Sequence, residues 1–139
     1  MKKTTPTGSP SSSAIASTRF SKAALAALVE CKNLGIRAGR GPHRFIAVWV
    51  VVVKGRAFVR PWNDKPSGWY RQFLVDPRGA IQLRNRAIRV RAKKTRGERL
   101  WDAVDAAYAA KYPTPGSRGY VRGFALPRRR KTTTELVPG

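Results

Sequence analysis

Two arginines and two aromatic residues surround one predicted loop and form the group in this chain best suited to binding a ligand. The group consists of Arg60, Trp69, Tyr70 and Arg71. A guanidinium donates paired hydrogen bonds to a phosphate, and an aromatic ring stacks on a planar ligand. The combination predicts a site for a planar, anionic ligand. The alternative is that both rings plug one end of the fold while both arginines lie in solvent.

A second group of basic residues favours contact with a polyanion. The chain has 29 Lys and Arg against 7 Asp and Glu, which gives a net charge of +22. Such a surface contacts phosphates without reading sequence, and its binding weakens strongly with salt. The alternative function is therefore non-enzymatic nucleic-acid binding. This surface has no aromatic platform on which bases could stack, because no aromatic residue falls between Phe73 and Trp101. The residues expected to carry it are Arg84, Arg86, Arg89, Arg91 and Lys93.

Other residues that could take part in catalysis are interpreted as structural. Asp102 and Asp105 lie three residues apart on a predicted helix, but nothing in the sequence marks either carboxyl as an acid–base catalyst. On the same helix, Tyr108 is expected to pack on the sheet, while Asp105 and Lys111 are expected to be solvated. His43 follows a Gly-Pro loop and has no nucleophile in a recognisable motif, so it is interpreted as a surface or structural histidine.

The single cysteine excludes an internal disulfide. With only one cysteine and one histidine, the chain also has no Cys/His metal-binding pattern. No apolar stretch approaches the roughly 18 residues that span a bilayer. No small-x-small cleavage site follows the apolar residues near the start. These features predict a cytoplasmic protein with no membrane partner.

Hydrophobic patterning predicts the elements that position these residues. Residues 45–53 are apolar on both faces and rich in β-branched side chains, which favours a central strand. Lys54-Gly55 is a plausible hairpin turn into a second strand, 56–62. A cluster of turn residues then leads into a short helix, 69–74.

Further along the chain, alternation predicts a hairpin formed by residues 80–85 and 87–93, with an apolar inner face and a basic outer face. Residues 97–112 have the strongest helical periodicity in the sequence. A loop is predicted over 114–119 and a closing strand over 131–137.

The order of elements predicts the domain organisation and the fold class. Residues 1–20 are rich in Ser, Thr and Pro and are expected to form a disordered basic tail. Residues 21–139 are expected to form one domain. It begins with a helix, 22–32, which is capped by Ser21 and stopped by Asn33 and Gly35. Helices alternating mostly with hairpins predict an α+β fold: a small antiparallel sheet resembling a split β-barrel, with flanking helices.

Several motifs resemble those of a family of small bacterial proteins, domain of unknown function 2255. The matching segments are Trp49-Val50-Val51-Val52, Phe58-Val59-Arg60, Gly68-Trp69-Tyr70-Arg71, and residues 104–112 and 132–138. The resemblance covers about residues 34–139. Through this family the chain is similar to the split β-barrels that bind flavin or deazaflavin, and the resemblance implies an oxidoreductase with FMN or deazaflavin as its cofactor.

In those barrels the loop that follows the central hairpin holds the cofactor phosphate, and this sequence departs from the pattern twice. Pro61 replaces a phosphate-binding hydroxyl, and Trp69 replaces a lysine. The resemblance implies that Arg60 and Arg71 would hold the phosphate instead, with Trp69 and Tyr70 shaping the pocket. The absence of any cofactor is an equal alternative. The resemblance also implies a homodimer with the cofactor near the subunit interface.

Overall fold

A computed structural model describes residues 19–39 and 44–139 of the chain. These residues form the helices α1 (Lys22–Glu30), α2 (Trp69–Val75), α3 (Glu98–Lys111), α4 (Pro115–Phe124) and α5 (Pro127–Arg130). They also form the strands β1 (Leu34–Ala38), β2 (Ile46–Val48), β3 (Val50–Val53), β4 (Arg56–Val59), β5 (Arg78–Leu83), β6 (Arg86–Lys94) and β7 (Thr134–Pro138).

The described strands form one antiparallel sheet that curls into a nearly closed barrel, which confirms the predicted α+β class. Their order is β2-β1-β5-β6-β7-β4-β3. The two outermost strands, β2 and β3, are consecutive in the chain and are separated only by Trp49. One apolar segment therefore supplies both edges of the sheet, and the backbone at Trp49 joins them. We call this point the barrel seam.

Two tight turns set the register of the predicted hairpins. Lys54 and Gly55 have φ values of 51° and 74°, and they connect β3 to β4 with Val50 opposite Val59. Arg84 and Asn85 have φ values of 50° and 66°, and they connect β5 to β6. Two successive residues with positive φ match the right-handed twist of the flanking strands. Both hairpins are confirmed.

The apolar residues divide into two cores, one on each face of the sheet. The inner core lies inside the barrel and includes Leu34, Ile36, Val50, Val59, Ile81, Leu83, Val90 and Leu136, together with Leu28 of α1 and Phe73 of α2. The outer core lies between the β3–β4 hairpin and the helices α3 and α4, and consists of Val51, Phe58, Val104, Tyr108, Tyr112 and Phe124. Strands β3 and β4 are buried on both faces, as the continuous apolar run predicts.

Several elements differ from the sequence-based expectations. Residues 45–53, expected to form one central strand, form the two outermost strands β2 and β3. The segment breaks at Trp49 because its two halves pair with different strands, β2 with β1 and β3 with β4.

Leu34–Ala38, which follows the predicted end of the first helix, is not predicted as a strand. It forms strand β1 because Leu34, Ile36 and Ala38 alternate into the inner core. The predicted loop 114–119 is instead the first half of helix α4, with Pro115 in its first turn. Three glycines lower the helix propensity of α4, and burial of Phe124 offsets this cost.

The predicted tail, residues 1–20, lies outside the described residues except for its last two. Phe20 is one of these two, and it is buried in the inner core. His43 also lies outside the described residues. Among residues 19–39 and 44–139, no helix is long and apolar enough to cross a membrane.

Candidate functional site

An aromatic cleft opens beside the barrel seam. Its volume is about 710 Å³, which lies within the range of small-molecule and cofactor sites. Its walls contain the aromatic residues Trp49, Trp62, Trp69, Tyr120 and Phe124. Most ligand pockets have such a lining, with a few polar groups that orient the ligand.

Ring contacts hold this aromatic wall in place. Trp49 stacks on Tyr112, the residue that follows α3, with ring centroids 4.0 Å apart and planes inclined by 5°. Trp62 contacts Tyr120 and Phe124 edge-on, at centroid distances of 5.0 and 5.3 Å. Despite these contacts, Trp62 is 38% exposed and Tyr120 is 51% exposed. The Arg129 guanidinium also stacks on Trp62, 3.9 Å from the ring centroid, so Tyr120 has the larger exposed fraction of the two residues that a ligand could contact.

Polar groups are concentrated on the loop between β4 and α2. Lys65, Ser67 and Gly68 line the cleft, and Gly68 N–H donates to the Lys65 carbonyl over 3.0 Å. Lys65 is exposed and forms no ion pair within the described part of the chain. It is therefore a cation at the rim that remains available to an anionic group of a ligand.

Arg60 reaches the cleft from the end of β4, but its side chain is fully buried. Its Nε donates to Thr133 Oγ1 over 2.7 Å. One Nη donates to Asp105 Oδ1 and to the Phe124 carbonyl, at 2.5 and 2.9 Å. The other Nη donates to the Trp101 carbonyl over 3.2 Å. These bonds use four of the five guanidinium donors, so Arg60 ties α3, α4 and the segment before β7 to the barrel.

The four residues expected to bind a cofactor do not all meet. Arg60 and Trp69 line the same cleft, together with Ser67 and Gly68. Tyr70 lies on the other side of Trp69, with its ring edge-on at 6.3 Å, and packs against the inner core. Arg71 is exposed and donates two hydrogen bonds to Asp64, at 2.6 and 2.8 Å. These bonds hold the pKa of the Asp64 carboxyl below its usual value.

Sequence reasoning did not select Trp49, Trp62, Tyr120 or Phe124 as site residues. They come from the seam, the end of the second predicted strand and helix α4. A signal existed for Tyr120 and Phe124, since Pro115 after Thr114 is typical of a helix start and the two residues lie four apart. Nothing local in the sequence places that helix beside Trp62.

Asp105 and Lys111 of α3 are expected from the sequence to be solvated, but both form contacts with buried groups. Asp105 pairs with buried Arg60 and with Arg130, whose Nε lies 3.0 Å from its second oxygen. Lys111 Nζ donates to the carbonyls of Leu28 and Val50, at 2.8 and 2.7 Å. Burial lowers the pKa of Lys111. Both groups are structural because each one pairs with buried partners.

Two tyrosine hydroxyls, one in α3 and one directly after it, form hydrogen bonds near the seam. Tyr108 packs on the sheet as expected, and its hydroxyl donates to the Trp49 carbonyl over 2.9 Å. The Tyr112 hydroxyl donates to the Lys32 carbonyl over 2.8 Å. Burial raises the pKa of both phenols well above the usual value, so both remain neutral donors. Helix α3 thereby fixes the seam and one wall of the cleft.

The basic residues expected to bind nucleic acid lie on the β5–β6 hairpin. Arg86, Arg89, Arg91 and Lys93 are exposed along β6, and Arg84 lies in the turn before it. Arg84 pairs with Glu30 over 2.9 Å. The lining of the aromatic cleft includes none of these five residues. The two predicted functions therefore use separate surfaces.

The fold and the cleft together define a small α+β protein with a barrel-like sheet and an aromatic cleft of ligand size. The chain belongs to the family described as uncharacterized proteins conserved in bacteria, domain of unknown function 2255, which it matches over residues 24–136. No curated protein matches the chain.

Several solved structures match the chain, among them two mycobacterial proteins. The conserved hypothetical protein Rv2991 from Mycobacterium tuberculosis is 14% identical, with a TM-score of 0.54 over 89% of this chain and 82% of that chain. A heme binding protein from Mycobacterium smegmatis is 18% identical, with a TM-score of 0.45 over 86% of this chain and 51% of that chain. The first likeness supports the fold assignment.

Proposed function

We propose that the aromatic cleft binds a planar, aromatic ligand that carries a phosphate, of the flavin or deazaflavin class, and that the protein acts as an oxidoreductase through this cofactor. The observation that supports this proposal is the convergence of Trp49, Trp62 and Trp69 on one cavity of about 710 Å³. Offset or edge-on ring contacts stabilise a planar ligand in such a cavity.

The residues present fit the ring system of the ligand better than they fit the phosphate arrangement implied by the family resemblance. Tyr120 is 51% exposed, and Trp62 is 38% exposed with the Arg129 guanidinium stacked on its ring, so both rings can still contact a ligand. Arg60 has only one donor left, and Arg71 is paired with Asp64 outside the cleft. We therefore infer that Lys65, with Ser67, would hold the phosphate, because Lys65 is the available cation at the rim.

A bound flavin or deazaflavin would supply hydride transfer. The chain would hold the ring between aromatic side chains, exclude water from one of its faces, and anchor the phosphate at the β4–α2 loop. The homodimer implied by the family resemblance is part of the same proposal. A second copy would cover Ile46 and Tyr120 at the rim, which are 49% and 51% exposed.

Titration of the purified protein with FMN, riboflavin and a deazaflavin cofactor tests this proposal. Absorbance and tryptophan fluorescence report binding. We expect Trp62→Ala to weaken the binding of each flavin by about fivefold, since one aromatic contact contributes about 1 kcal/mol. Trp62→Phe keeps a ring and is expected to retain most of the affinity.

The phosphate position has its own control. Lys65→Ala is expected to weaken FMN binding and to leave riboflavin binding unchanged, because riboflavin lacks the phosphate. Lys22→Ala removes an equally exposed cation from α1 and is expected to change neither. No saturable binding of any of the three compounds would contradict the proposal. Binding that Trp62→Ala leaves intact would place the ligand elsewhere.

A further inference from the structure

Four arginines surround a groove on the outer face of the barrel, and the groove shares no lining residue with the aromatic cleft. They are Arg37 on β1, Arg78 on β5, and Arg89 and Arg91 on β6, and we call them the arginine cradle. The groove has a volume of about 520 Å³. Its floor is formed by small residues, Gly79 and Ala80, with Gly39 and Gly139 at its margin.

Strand register creates the cradle. Ala80 lies opposite Arg37 on one neighbouring strand and opposite Arg89 on the other. Directly opposed residues share one face of a sheet. Arg37 and Arg89 therefore flank the small side chain of Ala80 on the same face. Arg78 lies directly opposite Arg91 and completes the ring of cations.

This arrangement costs stability in the isolated chain. Like charges directly opposite each other across two strands repel, and Arg78 and Arg91 form such a pair. Strands β5 and β6 contain no acidic residue that could separate them. Asp76 pairs with Arg78 over 3.0 Å at one end of the groove. Arg37 stacks its guanidinium on Phe45, 4.5 Å from the ring centroid, which orients it toward the groove.

We propose that the arginine cradle binds the phosphate backbone of a nucleic acid without reading its sequence. The positive charge continues beyond the groove, because Lys93 follows Arg91 on the same exposed face of β6 and Arg86 precedes Arg89 near the turn. From Arg89 to Lys93 the exposed cations span about 13 Å of strand. An extended stripe matches a partner with repeated anions better than it matches a single phosphate.

The chemistry of the groove favours a nucleic acid over an acidic protein. Protein partners need buried apolar or aromatic anchors for affinity. The groove offers guanidinium groups over a floor of Gly79 and Ala80, and the nearby Phe45 ring is covered by Arg37. Because the cradle lacks a free ring on which a base could stack, we infer that duplex DNA binds at least as tightly as a single strand.

The test uses the full chain and a fluorescently labelled, mixed-sequence DNA duplex, with its single strand as a second probe. Anisotropy titrations at several salt concentrations give the slope of log K against log[salt]. Arg89→Gln plus Arg91→Gln removes two cradle residues. Arg118→Gln plus Arg122→Gln removes two exposed arginines from α4 and serves as the control with the same change in charge.

We expect the slope for the duplex to become shallower by about 1.8 in the cradle variant, since each lost phosphate contact contributes about 0.9. The control variant is expected to keep nearly the wild-type slope, and both variants to retain the thermal stability of the wild type. An equal effect in both variants would overturn the cradle assignment, and so would absent or salt-independent binding. Polyglutamate that competes as well as DNA of equal charge would overturn the choice of nucleic acid.

Discussion

Arg60 is one of the largest side chains that the structure buries fully, and it carries a positive charge. A buried cation is tolerated only where carboxylates, hydroxyls and carbonyls satisfy its donors. Arg60 meets this condition through Asp105, Thr133 and two carbonyls. At the residue scale, a side chain whose type suggests phosphate binding thus serves to attach two helices to the barrel.

Arg60→Ala is expected to lower the free energy of unfolding by about 3–5 kcal/mol, because it leaves Asp105 and the carbonyls without their buried partner. Urea denaturation measures the change. The control is Arg71→Ala, which removes an arginine whose ion pair with Asp64 is solvent-exposed, and it should change stability little. A stable Arg60→Ala protein that loses flavin binding would show that Arg60 acts on the ligand instead.

At the element scale, the barrel depends on close packing between β5 and its neighbours. Gly79 of β5 lies so near β1 that a β-carbon there would stand 2.5 Å from the Arg37 carbonyl oxygen. The same β-carbon would stand 2.6 Å from the ring of Phe73. This glycine therefore allows β1 to pair with β5 while α2 packs over both.

Gly79→Ala is expected to destabilise the fold by about 1–3 kcal/mol, since the added methyl overpacks against the backbone, which cannot move aside cheaply. Gly116→Ala serves as the matched control: it lies in α4 with open space around it, and it should raise stability by about 0.4–1 kcal/mol. Chemical denaturation of both variants gives the comparison. Equal stability of the Gly79→Ala protein and the wild type would contradict the packing described here.

At the scale of the whole molecule, positive charge dominates. Each of the seven carboxylate side chains in the sequence forms an ion pair with an arginine. Basic residues outnumber acidic residues by 22, so most of the positive charge is not balanced by carboxylates. Self-repulsion of this kind destabilises the compact state.

The melting temperature is expected to rise with moderate salt. Between about 0.01 M and 0.1 M salt, the Debye length falls from about 30 Å to about 10 Å, which screens repulsion across the molecule. Differential scanning calorimetry in sodium chloride measures the shift, and sucrose at the same osmolality controls for general solute effects. A melting temperature that falls over this range would show that the ion pairs outweigh the repulsion.

Local patterns in the sequence determined most of the elements. The apolar segment 45–53 predicted strand structure, although it forms two outermost strands and not one central strand. Lys54-Gly55 predicted the turn that follows it. Alternation along β5 and β6 predicted a hairpin with a basic outer face, which the register confirms. These predictions succeed because strand period, turn conformation and helix periodicity depend on neighbouring residues. Strand β1 and helix α4 were not predicted, because glycine weakens the strand pattern in β1 and the helix pattern in α4.

The sequence by itself determined an α+β chain with a basic hairpin and a loop rich in aromatic and cationic residues. Only the tertiary structure decided which of these residues meet. It buried Arg60 among partners more than 40 residues away in sequence, it left Lys65 at the rim, and it set Arg37 beside Ala80. These placements follow from closure of the sheet and docking of α3 and α4, which depend on contacts between distant segments and therefore leave no local pattern.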